Sequence, residues 1–396
     1  MAGFSIRFLG CKVSYADAQA IRERLLADGH KEAEAGAEVA VVNTCCVTHE
    51  AVRKSRHAAA RAARTHGKVY VTGCGASLGA DGFDGLPENV VVVARRSEET
   101  PGFVAGDVGA VGCVQAEARL ERVRAFVKVQ DGCSFSCAFC VIPSVRGASR
   151  SRRAEAVLRE AWRRVEQGHK EIVLTGINLG CYRDREAGYT LARLAREVGE
   201  IPGLARLRLS SIEVNHVNAE LVDALRETPV LARHLHVPLQ SGEDRVLRAM
   251  GRRYDSTTYL RRVEPLADFN LTSDVIVGFP GEDEQAFRRT LKVVDRAGIS
   301  SVHVFPYSPR PGTATAAADT VPLNVKRERG ERLREHSRVA SLERWRAKVG
   351  SEDVVLVDRP GRGYGDDYSP WLVRGEVGEL VRVRARGVTE EGILAA

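Results

Sequence analysis

Residues 125–140 read Ala125-Phe-Val-Lys-Val129-Gln-Asp-Gly-Cys133-Ser-Phe-Ser-Cys137-Ala-Phe-Cys140. Ala125–Val129 predicts a strand, and three thiols follow it at relative positions 0, +4 and +7. A loop of this kind can wrap its sulfurs around three corners of a four-iron four-sulfur cluster, which prefers four thiolates. No fourth cysteine follows nearby, so one iron would stay open to an exogenous ligand. A zinc site or buried free thiols would use the same residue types; the position after the first strand of a βα repeat favours the cluster.

Outward from this loop, strands alternate with helices. Expected strands are Glu171–Thr175, Arg206–Ser210, Leu235–Leu239, Asp274–Gly278 and Ser301–Phe305, with helices such as Ala154–Gln167, Asn218–Glu227, Ser256–Asp268 and Asp283–Ala297 between them. Six βα units over residues 123–350 suit an open, partial (βα)6 barrel, whose chemistry sits at the C-terminal ends of its strands. Residues 1–96 alternate as well, predicting a parallel α/β domain, with 97–122 as a linker. A basic helix is expected over Glu328–Lys348, and residues 351–396 read as a small all-β barrel.

The chain has 396 residues, 44% hydrophobic and 28% charged, which fits a folded multidomain protein and excludes disorder as the main state. No apolar run approaches ~18 residues, so no membrane span is expected and the cytosol is the expected address. Nine cysteines in a reducing compartment point to metal or redox chemistry rather than disulfides. The net charge of +7 favours a polyanion partner only mildly.

Cys11, Cys45 and Cys74 each follow one of the first three strands. Parallel strands end side by side, so these thiols could converge on a second cluster or be unrelated buried residues. Cys46 should point elsewhere if strand geometry persists, and Cys113 and Cys181 read as bystanders.

With these residues in view, the chain resembles the methylthiotransferases, a radical S-adenosylmethionine (SAM) family. The resemblance rests on Leu9-Gly-Cys11-Lys-Val13, Asn43-Thr-Cys45-Cys-Val-Thr48, Arg53-Lys-Ser-Arg56, Thr72-Gly-Cys74, Gln130-Asp-Gly-Cys133, Val141-Ile-Pro143 and Arg146-Gly147. Leu174-Thr-Gly-Ile-Asn-Leu-Gly180 is similar to the branch that modifies threonylcarbamoyladenosine in tRNA. The resemblance implies two 4Fe-4S clusters, one on Cys133, Cys137 and Cys140 and one on Cys11, Cys45 and Cys74, and a C-terminal TRAM-like domain. It also implies reductive cleavage of SAM, hydrogen abstraction from adenine C2 and delivery of a methylated sulfur. A tRNA anticodon stem-loop, an electron donor such as flavodoxin or ferredoxin, and a sulfur donor are the implied partners. Phe139, Gly176, Asn178, Ser211, Glu213, Gln240 and Gly278 are the implied SAM contacts, with turn chemistry as the plain alternative for each loop residue.

Two arginine-rich stretches, Arg146 to Arg164 and Lys326 to Lys348, could meet phosphates or simply form solvated helix faces. Tyr364, Tyr368 and Trp371 could stack on bases or pack a core. Arg382, Arg384 and Arg386 should line one strand face. Cys46, Asn178 and Ser144 depart from the family pattern and loosen the substrate assignment. The rivals are a methylthiotransferase of isopentenyladenosine or of a ribosomal-protein aspartate, a single-cluster radical SAM enzyme, and an RNA-binding protein with a structural metal.

Overall fold

The computed structural model describes residues 3–33, 36–94 and 123–396, so the expected linker and Cys113 lie outside the described residues. The N-terminal sheet is β1 (Phe4–Phe8), β2 (Val39–Thr44), β3 (Lys68–Gly73) and β4 (Val90–Val92), all parallel in that order. Helices α1 (Lys12–Ala27), α2 (His49–Ala63) and α3 (Cys74–Leu78) connect them. All of β2 is buried, as a parallel strand covered on both faces must be.

The central barrel opens with β5 (Arg124–Asp131), then α4 (Ile142–Arg146), a short antiparallel β6 (Arg150–Ser151) and α5 (Ala154–Glu166). It continues with β7 (Glu171–Gly176), a small β8 (Arg183–Asp184)–β9 (Tyr189–Thr190) hairpin absent from the sequence expectation, α6 (Leu191–Gly199) and β10 (Arg206–Leu209). Then come α7 (Ala219–Glu227), β11 (His234–His236), α8 (Asp244–Ala249), α9 (Ser256–Val263), β12 (Asn270–Val277), α10 (Glu284–Arg296) and β13 (Ile299–Pro306). The sheets β10-β7-β5 and β11-β12-β13 are parallel, and single bridges Leu207–Leu231 and Ser211–His236 join them. Six parallel strands therefore form the expected open barrel, with β13 at one edge and β5, extended at its end by β6, at the other.

Alternation along each strand divides the barrel. Ala125, Val127, Ile172, Leu174, Leu207, Leu209, Leu235, Leu271 and Val275 join one apolar core under the helices. The other face is polar: Arg124, Lys128, Glu171, Arg206, Arg208, His234, His236, Thr272, Asp274 and His303 turn into the lumen.

Two other parts of the chain close that lumen. The long helix α11 (Leu323–Ala347) leads to a closed barrel of β14 (Glu352–Arg359), β15 (Arg362–Tyr364), β16 (Pro370–Leu372), β17 (Leu380–Thr389) and β18 (Gly392–Ala395). Its 364–368 loop plugs the lumen floor. Arg208 donates to Gly365 O at 2.7 Å and Asp366 O at 2.9 Å, and Asn270 Nδ2 donates to Asp367 O at 2.7 Å. Tyr364 and Tyr368 stack on each other at 4.7 Å under Arg124, and Trp371 is fully buried. This corrects the base-stacking expectation: the three aromatics are plug and core. From the side, α1 covers the gap at β5, with Tyr15 edge-on to Phe126 at 5.2 Å. Among the described residues, no helix is long and apolar enough to cross a membrane.

Glu171 holds the floor together. It sits 2.8 Å from Arg208, 3.2 Å from Arg206 and 3.4 Å from Arg124, fully buried. Burial alone would raise its carboxyl; Arg208, Arg124 and Arg206 outweigh this and hold it below the usual range. A depressed native pKa adds stability above the unfolded value of about 4.3 and loses it as pH falls. Glu171→Gln leaves buried Arg208 without a carboxylate, and Arg124 and Arg206 with only Asp358 and Asp366, and should cost about 3–5 kcal/mol. Thermal melts from pH 7 to 3 should show a lowered transition at neutral pH and a flatter acid limb; an unchanged melt would refute the assignment.

Candidate active site between two cysteine triads

The first triad hangs on the rim of the central barrel. Gly132 turns the chain out of β5 with φ of +67°, and a β-carbon there would sit 2.1 Å from Ala148 O. Only glycine tolerates both demands. The Cys133 amide then donates to Gly147 O at 3.0 Å, and the Ala138 amide to Met250 O at 2.9 Å. Arg252 donates to Cys137 Sγ at 3.4 Å and to Glu213 Oε1 at 3.4 Å, and its Nε to Tyr254 OH at 3.2 Å. Burial lifts the Cys140 thiol to about 11, with Cys137 and Cys133 close enough to add to it. An Fe-bound cysteine must be a thiolate, and the Arg252 guanidinium beside Cys137 suits that anionic form.

Gln130 organises the next strand end. It donates to Gly132 O at 2.7 Å and Ser149 Oγ at 2.9 Å, and accepts from the Asn178 amide at 2.8 Å. A β-carbon on Gly176 would meet Gln130 Oε1 at 2.9 Å, so Gly176 is small for that glutamine. Asn178 Nδ2 lies 3.9 Å from Cys133 Sγ. Buried Asn178 Oδ1 and Ser210 Oγ lack partners. Orphaned polar atoms at strand ends beside the cysteine loop fit the polar end of SAM. Ser211 bridges to His236, and Glu213 caps Asn215 while holding Arg252. Gln240 has φ of +64°, strained for a non-glycine, and is pinned between Asp274 and Ile276 of β12. Phe139 meets Phe279 edge-on at 6.3 Å. At Gly278 the space of a side chain is filled by Lys326 of α11, with Cγ 2.4 Å from where a β-carbon would stand. Arg252 escaped the sequence reading because it sits 112 residues beyond Cys140 with no motif around it.

The second triad stands at the tips of β1, β2 and β3. Cys11 caps α1, Cys45 follows β2, and Cys74 opens α3. The tips are packed tightly: a β-carbon on Gly10 would lie 3.1 Å from Cys45 Cβ, and one on Gly75 3.3 Å from Cys45 O. Burial raises the Cys45 thiol to about 11, with Cys11 and Cys74 in range. Cys46 does not point elsewhere. The strand ends at Thr44, its alternation stops, and the buried Cys46 thiol hydrogen-bonds Cys74. That bond and the neighbouring Arg146 hold Cys74 below the ordinary thiol range.

One helix separates the triads. Val141, Ile142 and Val145, directly after Cys140, pack on Cys46 and Cys74. Arg146 Nε donates to Cys74 Sγ at 3.0 Å, Nη1 to Asp131 at 3.0 Å and Nη2 to Asp17 at 2.8 Å. Lys128 binds Asp17 as well, and Asp131 at 3.2 Å. Arg146 is thus buried and unavailable to phosphate, contrary to one sequence expectation. Other members of that stretch are paired internally too: Arg152 with Glu160, Arg153 with Glu186, Arg159 with Glu155, and Arg163 and Arg164 with Glu23.

A βα half-barrel with a three-cysteine rim loop and orphaned polar atoms beside it defines a radical SAM enzyme. Residues 127–294 match the radical SAM superfamily model, and residues 3–94 match the uncharacterized protein family UPF0004. The solved TsrM structure, a radical S-adenosylmethionine methyltransferase from Kitasatospora setae, shares the fold with TM-score 0.57 at 14% identity, over 80% of this chain and 74% of that one. The chain is 35% identical to the threonylcarbamoyladenosine tRNA methylthiotransferase MtaB of Thermotoga maritima, over 98% of this chain and 96% of the relative. It is 34% identical to the Bacillus subtilis MtaB, over 97% and 94%. A tRNA-2-methylthio-N(6)-dimethylallyladenosine synthase of Koribacter versatilis is 32% identical over 90% and 86%. The chain belongs to the methylthiotransferase family of radical SAM enzymes.

Two substitutions test the geometry. Gly132→Ala should lower the iron content, because the cysteine loop loses its turn; wild-type iron content would contradict this. Arg146→Met leaves buried Asp17 and Asp131 sharing Lys128 and should cost about 3–5 kcal/mol. A shift below 1 kcal/mol in chemical denaturation would show that the junction is not held by this ion cluster.

Proposed function

We propose that the enzyme is a tRNA methylthiotransferase acting at C2 of N6-threonylcarbamoyladenosine beside the anticodon, with two 4Fe-4S clusters. The observation that carries this is two cysteine triads fixed on either side of one short helix, whose Arg146 donates to Cys74 of the second. Two curated relatives, 35% and 34% identical, are named threonylcarbamoyladenosine tRNA methylthiotransferases. Bound to Cys133, Cys137 and Cys140, a cluster would supply reductive SAM cleavage, and one on Cys11, Cys45 and Cys74 the sulfur. Gln130 and Gly176 shape the SAM-side wall, Arg252 screens Cys137, and α1 with the C-terminal barrel excludes water from the side and floor.

The division into residues 1–96, 97–122, 123–350 and 351–396, with a TRAM-like last domain, belongs to this reading. So do a low-potential electron donor, a sulfur donor and a cytosolic address. For RNA, the exposed arginines are the resource. Arg382, Arg384 and Arg386 alternate with buried Val383 and Ala385 on β17, and Arg327, Arg334 and Arg346 are exposed on α11. The last domain is net negative (six arginines against nine acids, −3), so RNA contact there rests on this face, not on overall charge.

Anaerobically reconstituted protein should hold about eight irons, and Cys11→Ala/Cys45→Ala/Cys74→Ala about four. EPR should lose one of two signals. Nucleosides from cells lacking the enzyme should lose the methylthio form of N6-threonylcarbamoyladenosine. Loss of methylthio from a ribosomal protein with tRNA unchanged would overturn the reading.

A further inference from the structure

The lumen beneath the cysteine rim holds a polar layer that neither triad uses. His236 on β11, Asp274 on β12 and His303 on β13 face one another, with one nitrogen or oxygen from each within 4.8 Å of the others. His236 Nε2 is 3.2 Å from Asp274 Oδ1, and its Nδ1 shares a 2.9 Å hydrogen bond with Thr272 Oγ1, which fixes the ring. The two imidazoles are 5.5 Å apart. His303 is exposed and Asp274 half-buried, so the layer is reachable. Into it comes Lys12, the residue after Cys11, whose ammonium lies in electrostatic range of Asp274, His303 and Tyr368. Arg124 and Arg208 below it are committed to Glu171, and the layer above is apolar: Ile276, two residues along β12 from Asp274, packs with Phe139 of the cysteine loop and with Phe279.

The base must place C2 near the triads at the rim. C2 and C6 both flank N1, so the C2–H and C6–N6 bonds diverge from neighbouring corners of the ring, and with C2 at the rim the N6 substituent extends beside it toward this lumen. A threonylcarbamoyl group brings a carboxylate, a hydroxyl and ureido N–H donors; an isopentenyl group brings none of these. We propose that Lys12, His236, Asp274 and His303 form the subsite that receives the N6 substituent and select an anionic, hydrogen-bonding group over an apolar one. Lys12 and His303 meet the carboxylate, and Asp274, steadied by His236, accepts from an N–H. An apolar substituent would strip water from Lys12 and Asp274 and offer nothing in return, which is how a polar site rejects an isostere. The inference rests on the substrate class proposed above.

Two histidines and a carboxylate can also hold a divalent metal; the Lys12 cation in the same layer opposes that occupant. The test uses reconstituted holoenzyme and fluorescent anticodon stem-loops carrying adenosine, N6-isopentenyladenosine or N6-threonylcarbamoyladenosine, read by anisotropy. Wild type should bind the threonylcarbamoyl RNA about tenfold or more tighter than the adenosine RNA. His303→Leu and Lys12→Met should reduce that preference severalfold through loss of affinity for the threonylcarbamoyl RNA alone, and Lys12→Arg should retain most of it. Iron analysis confirms both clusters in each variant. An unchanged preference in both His303→Leu and Lys12→Met overturns the subsite, as does a stoichiometric divalent ion in wild type that His303→Leu removes. If wild type itself methylthiolates none of the threonylcarbamoyl RNA, the substrate reading falls instead.

Discussion

The buried ion cluster of Asp17, Lys128, Asp131 and Arg146 is the joint on which the site depends. Asp17 comes from α1, Lys128 and Asp131 from β5, and Arg146 from α4 six residues past Cys140. Four charges taken out of water need one another: removing any one leaves one of the opposite sign unbalanced in a low-dielectric setting. Their mutual satisfaction fixes the N-terminal sheet against the central barrel at one place and one angle. Since Arg146 also donates to Cys74, the same guanidinium sets how the second triad faces the first.

Enclosure follows from that joint. An open half-barrel has a gap at its side and a hole in its floor, and radical chemistry tolerates neither. Docking α1 by Asp17 brings Tyr15 over Phe126 and Lys12 into the lumen. The Glu171 network then ties the floor to backbone carbonyls of the C-terminal barrel, so a domain expected to meet RNA also serves as a stopper. The Cys133 loop stands at the opposite end, just past the C-terminal end of β5.

Much of this was legible in the chain. The Cys133, Cys137 and Cys140 loop, the three cysteines at successive strand tips and the six-strand alternation all show in spacing, because metal ligation in a loop and strand periodicity are local properties. Less visible was the fate of polar residues. The arginine run from 146 to 164 looks like a phosphate track, yet most of it pairs with acids of its own chain. Tyr364 and Tyr368 look like base-stacking residues and instead plug a barrel. Cys46 follows a strand, and strand geometry misplaces it because the strand has already ended. Arg252 and the role of Gly278, which makes room for Lys326, had no local signature.

The sequence by itself determined the cofactor chemistry, the order of the parts and the family, since each rests on residue type at short spacing. Tertiary structure alone decided which charges are spent inside the molecule and which remain for a ligand. Arg146 meets Asp17 across 129 residues and Lys128 meets it across 111. An ion pair is chosen by desolvation and distance in the folded chain. Neither is written in the spacing of the partners, so a lysine beside a cysteine motif reads as surface until the fold turns it into a lumen.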